Sequence, residues 1–180
     1  MLHLPTIACL LLVACASSAA PPPAVPAAAE GGPDSEQATP HQAALSAMRG
    51  VHGGAGPWVV AGYRMGQFAL GKLGLPRGSF DLDVVHHAPH DVQYSCIADG
   101  AAAATGASLG RLNLRLEPAE PQATRTTYKN RVTGASLTLQ TTQAFAMRYM
   151  NVPRAQLSAA GEEVLRLPDT DIFHEVPSTP

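Results

Sequence analysis

Residues 80–114, FDLDVVHHAPHDVQYSCIADGAAAATGASLGRLNL, decide the architecture. Residues 80–86 alternate apolar and polar side chains, as a strand with one face on a core does. The histidine-rich run HHAPH follows as a loop. Residues 92–105 carry four successive alanines, which predicts a buried helix packed closely against a sheet and stopped by Gly106. A second strand is expected over 111–116. Upstream, 41–50 forms a short helix between Pro40 and Gly50, and the loop VHGGAG leads to Pro57. Pro57 opens a longer helix to about Leu73, with Trp58, Met65 and Phe68 on its core stripe. Downstream, strands at 124–130 and 136–141 are joined by the turn Val132-Thr133-Gly134. Helices at 143–149 and 154–167 close the chain, bounded by Pro153 and Pro168. The expected fold is α+β, with a mixed, mostly antiparallel sheet of about four strands packed with helices, in one domain over 41–175.

The 180 residues hold 12 Lys plus Arg against 14 Asp plus Glu, a formal net charge of −2. With no basic block, the chain lacks the clustered cations that hold a nucleic acid, and that partner class is not expected. Residues 1–20 carry no formal charge, and the apolar run Ile7 to Ala14 is too short to span a bilayer. It has the character of a secretory signal, and Leu12-Val13-Ala14-Cys15 resembles a bacterial lipobox, which would place a lipid on Cys15. Cleavage near Ala19 or Ala20 is the alternative. Residues 21–40 are Pro- and Ala-rich and are expected to be a disordered tether. The predicted location is outside the cytoplasmic membrane, as a periplasm-facing envelope lipoprotein bound to the membrane by its anchor, or as a soluble periplasmic or extracellular protein. With Cys9 removed and Cys15 acylated, Cys96 is the one free thiol of the fold, open to metal binding, an intermolecular bridge or burial.

A metal site needs three or four converging donors. His52, His86, His87, His90 and Cys96 are the candidates, if the HHAPH loop and the start of the 92–105 helix share one edge of the sheet. The competing assignment makes HHAPH an exposed loop, His52 a turn residue and Cys96 a buried small hydrophobe. Gly53, Gly54 and Gly56 let backbone approach a ligand, and the amides opening the next helix can bind an anion, with Arg64 as counter-charge. No nucleophile elbow is present. Asp91 and Asp99 can pair with a histidine as acid and base only where the fold brings them together.

HGGAGPWVVAGYRMGQFAL at 52–70, the strand into VVHH, and CIADGAAAATGASLGRLNL at 96–114 together resemble the FmdE family, an accessory component of formylmethanofuran dehydrogenase. There the stretches run His-Gly-His-x-Cys-Pro-Gly, a GYRM-type helix, then Cys-x-x-Asp-Ala and a TGCTLGKGNL-like segment. The resemblance covers about residues 45–145. It implies a small, often dimeric module with a metal-binding pocket lined by the first loop and the second helix, holding zinc or another divalent transition metal, and an accessory role beside the dehydrogenase polypeptides that carry the redox chemistry. His52, Cys96 and Asp99 match the family pattern. Gly54 and Gly56 stand where a histidine and a cysteine would be, and Ala107 replaces another cysteine. The chain thus resembles a divergent secreted branch. His52, Gly53, Gly54, Arg64 and Asp99 are expected to line a ligand pocket, and His52, His87 and Cys96 to hold the metal. The functional expectation is a non-catalytic, extracytoplasmic binding module, a homodimer being compatible with it. The alternative is a small hydrolase or redox enzyme using a histidine with Cys96 or Asp99.

Overall fold

The computed structural model describes residues 38–177. The leader, Cys15 and all but the last three residues of the Pro-rich tract lie outside the described residues. Helices α1 (Pro40–His52) and α2 (Pro57–Leu73) lead into strand β1 (Leu82–Ala88), helix α3 (Val92–Thr105) and strand β2 (Leu114–Pro118). Strands β3 (Arg125–Asn130) and β4 (Ser136–Thr141) follow as a hairpin. Helices α4 (Gln143–Tyr149), α5 (Leu157–Arg166) and α6 (Asp169–Ile172) come next, then strand β5 (Phe173–Val176). The sheet runs β2-β1-β3-β4-β5, with β1 and β2 parallel and the other neighbours antiparallel. This is the α+β class read from the sequence, with five strands rather than four. Strand β5 has only four residues, too few for a period, and it is recruited by pairing with β4.

Several boundaries move for identifiable reasons. Helix α1 runs through Gly50 to His52, because the left-handed residue that stops it is Gly53, at φ 80°, whose N–H donates to Arg49 O at 2.9 Å. Strand β1 begins two residues late, after the 69% exposed Phe80. It also runs past His86 through His87 and Ala88, and both histidines pair with β2 and β3. Residues 109–111 form a short 3-10 turn ahead of β2, and another at 154–156 precedes α5.

Side chains alternate across a strand. On β1, Leu82, Val84 and His86 face the helices, while Asp83, Val85 and His87 face the other way. The helix side, with Tyr128, Leu137 and Leu139 in register, is buried. The opposite side carries Asp83 between Arg115 and Arg131 and a Thr127–Thr138 hydroxyl pair. On α2, Trp58 and Met65 are buried and Phe68 is partly buried against the core, as the stripe predicts. Trp58 donates from Nε1 to Tyr149 O at 3.0 Å and meets the rings of Tyr94 and Phe145 edge-on.

The alanine-rich helix packs most closely on α2, rather than on the sheet as its composition suggested. A Cβ added to Gly100 would lie 2.0 Å from Val59 O, and one on Gly62 would lie 2.1 Å from Ile97 O. The two backbones therefore touch directly. The start of α3 is fixed to β1 by His86, which is fully buried. Its Nε2–H donates to Tyr94 O at 3.1 Å, and its Nδ1 accepts from the Thr126 hydroxyl at 2.9 Å.

Both features of this packing have measurable consequences. Gly100→Ala should cost about 3 kcal/mol or more by overpacking and lower the melting midpoint by roughly 10 °C; a calorimetric midpoint within 2 °C or so of wild type would contradict the backbone contact. Burial lowers the pKa of His86 to about 4, so the unfolded chain takes up its proton first as pH falls. Stability from this group is complete above about 6.5 and is lost between about 6.5 and 4, on the order of 3 kcal/mol. The midpoint of His86→Gln should consequently change less than that of wild type between pH 7 and pH 4.5, and parallel profiles would exclude the assignment.

Candidate functional site

Three side chains from two helices meet at the end of α1. His52 lies in its last turn, held there by the Gly53 stop. Cys96 and Asp99 are three residues apart on α3, hence on one face of that helix. Asp99 Oδ2 is 2.8 Å from His52 Nδ1, and Cys96 Sγ is 3.3 Å from His52 Nε2. With the carboxylate accepting from Nδ1–H, Nε2 is left as an acceptor and the thiol donates to it. The imidazole thus bridges a thiol and a carboxylate. Burial, with the nearby charges of Asp99 and Asp91, pushes the Cys96 thiol up to about 11. The resting group is a neutral thiol aimed at a base.

This cluster opens on a cavity of about 1040 Å³, lined by His52, Cys96, the Gly53–Gly56 connection and the first turn of α2. Pro57 has no N–H, and the N-cap Gly56 offers no side-chain acceptor. Val60 N–H is the first to find an intrahelical partner, Gly56 O at 3.1 Å. The amides of Trp58 and Val59 therefore have no intrahelical acceptor, and both residues line the cavity. The walls are completed by Arg49, Gln93, Tyr149, Val152, Arg154 and Leu157. Gln93 ties the start of α3 to the chain beyond α4, its Oε1 accepting from Asn151 N–H at 3.0 Å.

The expected site residues divide. His52, Gly53 and Gly54 line the cavity, and Asp99 stands behind His52. Arg64 does not belong to it. Its guanidinium caps the end of α5, donating to Leu165 O and Leu167 O at 3.0 Å each and to Asp169 at 2.6 Å. The histidines of HHAPH separate by strand parity: His86 is sealed in the core, His90 is exposed, and His87 lies on the opposite face of the sheet, 3.6 Å from Glu117. His87 consequently does not join His52 and Cys96. No group of three His, Cys, Asp or Glu among the described residues could hold an ion. The donors here do not fit the three-ligand centre that the resemblance implied. Positions 54, 56 and 107, where that pattern has donors, are Gly, Gly and Ala.

Sequence reasoning named the members of the cluster separately and left its assembly open. The spacing Cys-x-x-Asp on a helix was the available signal, since it presents both groups to one partner. It gave Arg49 and Arg154 no functional part.

No curated protein matches the chain. The family described as "FmdE, Molybdenum formylmethanofuran dehydrogenase operon" matches residues 51–174, which include His52, Cys96 and Asp99. The chain belongs to the FmdE family.

Proposed function

We propose that this FmdE domain is a small thiol enzyme that transfers or hydrolyses acyl groups in the cavity beside α1. The observation that carries the reading is the imidazole of His52 bridging Cys96 Sγ and Asp99 Oδ2. As Sγ attacks a bound carbonyl, its proton passes to Nε2, and the carboxylate steadies the resulting imidazolium. The carbonyl oxygen gains negative charge, for which the free amides of Trp58 and Val59 are suitable donors. Collapse breaks the bond to the leaving alcohol or thiol, which takes the proton from His52. Water, deprotonated by the same imidazole, then releases the acid from the thioester. Cys96 is the single cysteine of the described residues, and this cycle needs no second thiol, whereas disulfide exchange would. The non-catalytic binding module is the competing reading, and turnover separates the two.

With p-nitrophenyl butyrate as probe, Cys96→Ala should abolish turnover, and Asp99→Asn should reduce kcat by about a hundredfold or more. A Cys96→Ala variant that keeps wild-type turnover removes the proposal. The high thiol pKa adds a second readout. Iodoacetamide labelling of Cys96 should keep rising toward a pH of about 11 instead of levelling near the ordinary thiol pKa of about 8.5, because thiolate is the reacting form.

The sequence also supports an envelope location, through the lipobox-like Leu12-Val13-Ala14-Cys15. Cys15→Ala should then move the protein from the membrane fraction to the soluble fraction of its native cells, and retention on membranes would rule out the lipid anchor.

A further inference from the structure

Arginines in this fold are almost all committed. With two exceptions, each donates to a backbone carbonyl or pairs with a carboxylate of the described residues. The exceptions are Arg49 and Arg154, and both line the cavity that holds Cys96 and His52. Arg49 is one turn before His52 on α1, so the two side chains share a face of that helix. Arg154 comes from a separate element, the 3-10 turn ahead of α5. Asp91 also lines the cavity, but its side chain is occupied, accepting from Gln93 N–H at 2.9 Å as the N-cap of α3. The remaining wall is largely apolar, with Val59, Val92, Val152 and Leu157.

Two exposed arginines without an acceptor among the described residues, both at the lining of one partly apolar cavity, form a receptor for a molecule with an apolar body and an anionic end. Arginine forks match carboxylate and phosphate oxygens geometrically. We infer that the cavity takes an amphipathic anion, its charged end held by Arg49 and Arg154 and its apolar part laid against Val59, Val92, Val152 and Leu157. This deepens the acyl-transfer reading and rests on it for the chemistry: the substrate class becomes an acyl compound bearing a second, anionic group.

Trp58 is the one tryptophan of the chain and lines this cavity, so its fluorescence reports occupancy without any turnover. Titration of the full chain with hexanoate, hexyl phosphate and the neutral hexanamide tests the inference directly. At least one of the anions should bind roughly tenfold tighter than hexanamide, and Arg49→Gln with Arg154→Gln should erase that difference while leaving hexanamide binding unchanged. Anions that bind no better than hexanamide, or a preference that survives the double substitution, would overturn it. The same titration on Cys96→Ala should keep the preference. Absence of anion preference alongside intact Cys96-dependent turnover therefore sinks this inference alone. Persistent preference without turnover sinks only the thiol chemistry.

Discussion

The contact on which the arrangement depends is the approach of α2 to α3 through Gly62 and Gly100, where carbonyl oxygens of each helix occupy the space a methyl group would need on the other. A glycine in a helix interior costs about 1 kcal/mol relative to alanine, so its use here needs a compensating gain. That gain is proximity. Cys96 lies one turn before Gly100, and Val59 lies one turn before Gly62. Where the two backbones come together, Cys96 and the first turn of α2 line one cavity.

A second constraint acts at the other end of the same turn. His86 carries no function at the cavity, yet it joins β1, β3 and α3 through its two ring nitrogens. A buried imidazole kept neutral is an acid-labile joint. It fixes the rotation of α3 about its axis at Tyr94, two residues before Cys96. The domain thus stabilises the position of Cys96 with a group whose contribution weakens in acid.

Much of this was legible in the residues. The helix opened by Pro57 and the one stopped by Gly106 were readable because proline and glycine have strong local consequences. The 92–105 helix and the strand at 136–141 were readable from composition and period. What failed was non-local. Whether Gly50 or Gly53 ends α1 depends on which adopts positive φ, and whether the strand stops at His86 or runs on through His87 depends on pairing with β2 and β3. A single-residue alternation then sends these neighbours to opposite faces, which defeated the expected metal set. Strand β5 owes its existence to β4. Arg64, placed near the glycine loop by sequence proximity, is claimed by carbonyls about a hundred residues further along the chain. The thiol, the imidazole and the carboxylate were each recognisable as residue types. Their distances came only with the crossing of α1 and α3.

The four-residue connection Gly53–Gly56 has an electrical consequence. It joins the carboxyl end of one helix to the amino end of the next, so His52 sits where the aligned peptide dipoles of α1 end negative, while the amides of α2 begin positive. A cation forming on the imidazole and an anion forming on the carbonyl oxygen would each meet the favourable pole. The polarity that separates the two charges is built into the backbone, independent of any side chain.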